Sequence, residues 1–149
     1  MGQRERLRCP LMPSPPCPFC EIVAGRATAH VVLDEPDALA FLDARPLFPG
    51  HVLVVPRPHV ETLLDLPSDD VGPFFRAVQR VARAVETALS AEGIFVAANN
   101  KVSQSVPHLH VHVVPRRKKD GLRGFFWPRN AYESSEEAAA IAARIRAAL

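Results

Sequence analysis

The sequence predicts an α+β fold: a mainly antiparallel five-stranded sheet with one long helix and a C-terminal helix, the helices lying on one face. Three observations carry that prediction: short apolar runs separated only by turn residues, one long apolar stripe of helical period among them, and a second helical stripe at the C-terminal end. Residues 1–16 hold four prolines and several arginines without periodicity, so a disordered tail is expected there, with a single domain over 17–149. "HVVLD" at 30–34 and "DALAFLD" at 37–43 read as the first two strands, and "HVLVV" at 51–55 as a third, apolar enough to be central. Pro46, Pro49 and Gly50 mark the turn before it. Ser68 is the expected cap of the long helix, with Asp69 and Asp70 in its first turn at the positive end of the dipole. Its stripe is Val71, Phe74, Phe75, Val78, Val81, Ala82, Val85 and Leu89, and Gly93 is expected to end it. "IFVAAN" at 94–99 and residues 108–114 supply the fourth and fifth strands. The last helix, starting at Ser134 or Ser135, is expected to bury Ala138, Ile141, Ala142, Ile145 and Leu149.

Composition narrows the function. A chain of 149 residues, 48% hydrophobic and 23% charged, is long enough to bury one real core. A formal charge of +2 is too mild to make nucleic acid the main partner, though it suits small anionic ligands. No apolar run approaches the roughly 20 residues of a bilayer span, and the start lacks the apolar core of a secretion signal, so a cytoplasmic protein is expected. Cys17 and Cys20 form a C-x-x-C, which in a reducing compartment points to metal or redox chemistry before a disulfide, while Cys9 is assigned no role.

The stretch "VPHLHVHVVPR" at 106–116 is the strongest chemical signal. In an extended chain side chains alternate, so His108, His110 and His112 share one face while Leu109, Val111 and Val113 share the other. The outer two would stand about 13 Å apart, too far to share one metal. Two neighbouring imidazoles can still act on one phosphate, one as nucleophile and one as donor to its oxygens. A fourth histidine, His51, opens the apolar third strand, where a buried ring needs a partner.

H-L-H-V-H-V-V resembles the signature of the histidine triad (HIT) family of nucleotide hydrolases and transferases, in its bacterial branch. The resemblance is supported by C-P-F-C at 17, F-L-D-A-R-P at 41, P-G-H-V-L-V-V-P at 49, H-V-E-T-L-L-D-L at 59 and Q-S-V-P directly before the triad, and it spans Cys17 to about Arg117. It implies the HIT fold and an activity in which the middle histidine attacks the α-phosphate of a purine nucleotide conjugate and holds the nucleotide covalently until water releases it. A dinucleoside polyphosphate is the favoured substrate; a phosphoramidate or acyl adenylate is the alternative, and a non-enzymatic nucleotide-binding protein the competing class. His110 matches the nucleophile, His112 a phosphate contact, and Gln104 and Ser105 the phosphate pocket and leaving-group side. His51 matches a histidine that orients the nucleophile. Asp43 matches the acid that binds ribose hydroxyls, although an Asp ending a strand needs no ligand, and Asn99 a polar neighbour of the triad that could equally be a turn residue. Phe19, Ile22, Phe41 and Leu53 match positions that sandwich the base, where core packing would explain each singly. Cys17, Cys20, His59 and His108 match a structural zinc site of some bacterial members. A homodimer paired through the long helix and a strand is also implied.

Three features stand apart from that pattern or add to it. N-N-K-V-S-Q at 99–104 is two residues shorter than the segment of many members and carries Lys101 and Ser103 where glycines usually stand. "RRKKDG" at 116–121 reads as a solvated turn, or else as a holder of distal phosphates. "FFWP" at 125–128 is apolar enough to be expected against a partner subunit or over the leaving group.

Overall fold

The computed structural model describes residues 16–122 and 130–149; the tail expected over 1–16 falls almost wholly outside the described residues, as does "FFWP". Helix α1 (Pro18–Val23) opens the described chain, followed by strands β1 (Val31–Asp34), β2 (Leu39–Leu42) and β3 (Val52–Val55). Helix α2 (Ser68–Leu89) comes next, then β4 (Gly93–Ala97), β5 (Val111–Arg116) and α3 (Ser135–Ala147). The five strands form one antiparallel sheet of order β1-β2-β3-β5-β4, with β3 in the centre.

Strict alternation on β2 and β3 gives the sheet two different faces. Ala38, Ala40, Val52 and Val54 join Leu109, Val111 and Val113 against Phe74, Ala77, Val78, Val81 and Val85 of α2. Leu39, Phe41, Leu53 and Val55 point the other way and close over Phe19 of α1. Helices therefore cover both faces rather than one: α1 is too short to show a helical stripe in sequence, and its start is set by Pro18 in the first turn and by Cys17 as cap.

The long helix begins one residue earlier than Ser68 as cap would require. Pro67 occupies the cap position, with Ser68 inside the first turn. The helix ends at Leu89, where Ser90 turns left-handed at φ 49°, and Gly93 instead opens β4. Arg117 donates to the carbonyls of Leu89 (2.6 Å) and Ser90 (2.9 Å), satisfying acceptors that the last turn leaves without partners. Gly50 sits against this end at φ 95°, and a Cβ there would run into the Leu89 side chain. Helix α3 is capped by Ser134, which accepts from the Glu137 amide at 3.1 Å. It buries less than its pattern suggests: Ala138, Ile141 and Ala142 are half-buried, while Ile145 and Leu149 are exposed. Three of those five positions lie in reach of a neighbour, but alanine offers little area to cover and the last two stand at the chain end.

Candidate active site

Register delivers the histidines to the α1 face. His112 lies opposite Leu53 across β3 and Ala97 across β4. His108 and His110 precede β5 rather than lying within it, yet they keep its alternation, because Leu109 is anchored by its N–H to the Val60 carbonyl at 2.7 Å and buries in the α2 core. The ring centroids of His110 and His112 are 5.0 Å apart.

Each ring is fixed by a partner of settled polarity. The Nδ1–H of His110 donates to the His108 carbonyl at 2.8 Å. A carbonyl oxygen can only accept, so Nε2 is the nitrogen His110 offers to a ligand. The Leu47 amide donates to His51 Nδ1 at 3.1 Å, which leaves the proton of a neutral His51 on Nε2, from where it donates to His112 Nδ1 at 2.9 Å. A neutral His112 then carries its own proton on Nε2. Burial lowers the pKa of His51 against the opposing pull of Asp43. Burial, helped by the neighbouring His110 and His51 rings and opposed by Asp43, lowers His112 to about 4. Both are thus neutral near pH 7, and His112 is a hydrogen-bond donor beside the bare nitrogen of His110. The His51 hydrogen bond goes to His112, not to His110, so His51 orients His112 rather than the ring expected to be the nucleophile.

A cavity of about 850 Å³ opens on this pair. Phe19, Ile22, Phe41 and Leu53 form its apolar end, and Asp43, Ser105, His110 and His112 line the rest. Phe19 meets His110 edge-on with centroids 5.1 Å apart, and Phe41 at 5.5 Å. Asp43 Oδ1 accepts from the Arg45 amide at 2.8 Å while Oδ2 stands 3.7 Å from His51 Nε2. Val106, Arg45, Thr28 and His30 also line the cavity and were not singled out in the sequence. Val106, Arg45 and His30 lie inside stretches quoted for a strand or a motif; Thr28 carried no sequence signal.

Asn99 and Gln104 do not line the cavity. Asn99 donates to the Ser103 carbonyl at 3.1 Å, and Gln104 donates to the Glu61 carbonyl at 2.6 Å while accepting from the Lys101 amide at 2.8 Å. Both hold the 99–104 loop in shape. Lys101 and Ser103 take left-handed backbone, φ 70° and 60°, the conformation in which glycine is at ease, so the shortened loop keeps a glycine-like path with side chains on it. The basic run is mostly spent inside the chain: Arg116 pairs with Asp120 at 2.6 Å, and Arg117 caps α2.

Behind His110 lies a second cluster. The ligand atoms of Cys17, Cys20, His59 and His108 all fall within 4.8 Å of one another. His108 Nδ1 is 3.5 Å from Cys17 Sγ and 3.6 Å from Cys20 Sγ, and Cys20 Sγ is 3.2 Å from His59 Nδ1. Sulfur and nitrogen ligands of one tetrahedral zinc stand roughly 3.5 Å apart, so these separations fit a metal ion. His108 Nε2–H donates to the Pro56 carbonyl at 3.0 Å, which turns its bare Nδ1 toward the sulfurs. Burial lowers its pKa to about 4, against the Pro56 hydrogen bond and with the help of its neighbouring rings. The neutral ring is the form a metal binds.

The HIT domain family model matches residues 24–119. The chain belongs to the HIT family. An uncharacterized HIT-like protein of Saccharolobus solfataricus is 43% identical over 107 residues, covering 70% of this chain and 76% of that protein. The crystal structure of a HIT family member from Bacillus subtilis superposes with a TM-score of 0.82 at 35% identity, covering 89% of this chain and 96% of the other. A zinc-bound histidine triad family protein from Mycobacterium smegmatis gives a TM-score of 0.68 at 37% identity, covering 89% and 97%. Two relatives carry enzyme names. The asymmetrical bis(5'-nucleosyl)-tetraphosphatase of Schizosaccharomyces pombe is 39% identical over 83 residues, 54% of this chain and 46% of that protein, and the adenylylsulfatase HINT3 of Arabidopsis thaliana is 30% identical over 108 residues, 71% and 55%. Among the described residues no helix is long and apolar enough to cross a membrane.

Proposed function

We propose that this HIT protein hydrolyses a purine nucleotide conjugate at its α-phosphate through a nucleotidyl-histidine intermediate. The observation that carries the reading is the His108 carbonyl on His110 Nδ1, which reserves Nε2 of a cavity-lining ring for attack. Nε2 forms a bond to phosphorus while the bond from phosphorus to the leaving group breaks, its electron pair going to the leaving atom. Water then attacks phosphorus and the P–N pair returns to Nε2. His112 Nε2–H and Ser105 donate to the phosphate oxygens as negative charge builds. Asp43 accepts from the ribose hydroxyls, and the base lies among Phe19, Ile22, Phe41 and Leu53, which stack on a ring without reading its edges.

Cys17, Cys20, His59 and His108 would hold one structural zinc, which ties the C-x-x-C segment to the triad and takes no part in bond breaking. A reducing, cytoplasmic setting suits two cysteines that form no disulfide. A homodimer through α2 and β4 is supported by the exposure of Phe75 and Val96 and by the position of β4 at the sheet edge. A dinucleoside polyphosphate is the first substrate to test, because a relative bears that enzyme's name. A shorter leaving group, as in a phosphoramidate or an acyl adenylate, is the second reading. It is favoured by the commitment of Arg116 and Arg117 within the chain, which removes two cations from the service of distal phosphates.

The deciding experiment is intact-protein mass spectrometry of wild type and His110→Ala, quenched during turnover of diadenosine tetraphosphate or of adenosine phosphoramidate. An added AMP on wild type alone is expected, more abundant with the better leaving group. Tight nucleotide binding with neither adduct nor product would overturn hydrolysis in favour of a binding protein.

A further inference from the structure

We propose that Cys17 and Cys20 form an oxidation site through which a peroxide switches off nucleotide binding. The inference rests on the reading of the cavity as a nucleotide pocket. It starts from two physical links between the thiol cluster and that pocket. The first runs through one residue: the Nδ1 of His108 faces both sulfurs, at 3.5 and 3.6 Å, while the carbonyl of His108 holds His110 Nδ1 at 2.8 Å. A shift of His108 therefore moves the group that sets the orientation of His110. The second runs through the C-x-x-C itself, since Phe19 lies between the two cysteines. Its buried ring touches the rings of His108, His110 and Phe41 and forms part of the cavity wall.

The two sulfurs lie within 4.8 Å of each other and belong to half-buried residues, so a small oxidant can reach them. One thiolate attacks a peroxide oxygen and the O–O bond breaks, leaving a sulfenic acid and, after protonation, one water. The second thiolate attacks that sulfur, the S–S bond forms, and hydroxide leaves to become the second water. Two electrons pass from the sulfurs to the peroxide, and a dithiol reverses the change. Joining the sulfurs removes both from the ligand set, so His59 and His108 alone cannot retain zinc. The segment carrying Phe19 is then tied to itself and no longer to His108.

The test uses zinc-loaded protein with Cys9→Ser, so that only the pair can react. Hydrogen peroxide is added, and three quantities are followed: intact mass, zinc released to a chromogenic chelator, and the Kd for AMP by calorimetry. The expected result is a loss of two hydrogens together with zinc release and an AMP affinity lower by about tenfold or more. Dithiothreitol with added zinc should restore both. A disulfide with zinc release and unchanged AMP affinity overturns the switch, as does oxidation that stops at sulfinic acid without a disulfide. Oxidised protein that has lost cooperative thermal unfolding also overturns it, because the effect would then be global. Reduced protein that fails to bind AMP sinks the functional reading itself, which keeps the two failures apart.

Discussion

The two ends of the histidine row carry the same side chain and meet different surroundings. At one end His108 turns its bare Nδ1 to two sulfurs and a third ring, with a carbonyl behind it. At the other end His112 accepts a hydrogen bond from His51, which stands beside the Asp43 carboxylate, and keeps its own proton on Nε2. The first environment collects lone pairs and suits a cation; the second presents a donor and suits an anion. What separates a candidate metal ligand from a candidate phosphate donor here is the atom behind the ring, not the ring.

Substitutions should break that contrast in graded fashion. Removing the ring between the two ends has the largest effect: His110→Ala is expected to lower kcat by about a thousandfold or more, because it removes the Nε2 proposed to attack phosphorus. Single-turnover hydrolysis measures it, and a residual rate within tenfold of wild type would exclude the nucleophile assignment. His51→Ala frees the donor to rotate and adopt either tautomer. A fall in kcat of about 10- to 100-fold, with the Kd for AMP little changed, is expected. Equal losses in both would mean that His51 only shapes the pocket.

Acid should act on both ends of the row, since burial holds His108 at about 4 as well. His51 and His112 are held below the ordinary histidine value of 6.5, His112 at about 4, chiefly by burial. The unfolded chain binds protons that these folded rings refuse, so stability falls as pH drops from about 6.5 toward 4 and then levels off for His112. Urea midpoints across that window test the sign, and a shallower slope for His51→Ala than for wild type would assign part of the effect to His51, with His112 and His108 supplying the rest. The smallest change expected is at the loop. Ser103→Gly relieves a left-handed residue and should raise stability by ~0.5 kcal/mol, the strain removed less the added freedom of the unfolded glycine.

Much of this was legible in the chain, for reasons that differ by element. The sheet and α2 were readable because their periods of 2 and 3.6 are enforced by a shared core, in which Val52, Val54, Val78 and Val81 meet. Helix α1 was not, because six residues hold under two turns and its start depends on Pro18 and a sulfur cap. In the site, alternation placed the three histidines on one face, but the partner of His51 depends on the Leu47 amide, which no side-chain pattern reports. The loop residues Asn99 and Gln104 illustrate the same limit. Their types suit phosphate or backbone equally, and the carbonyls they bond, Ser103 and Glu61, are invisible to a reading of side chains.

The amide of Leu47 at the head of one chain of hydrogen bonds, and the carbonyls of His108 and Pro56 at the tails of two others, share a property: none of them titrates. The row of rings therefore has a built-in direction, like a valve fixed at both ends. A change of pH can add charge to it, but cannot reverse which nitrogen gives and which takes unless a peptide group first lets go.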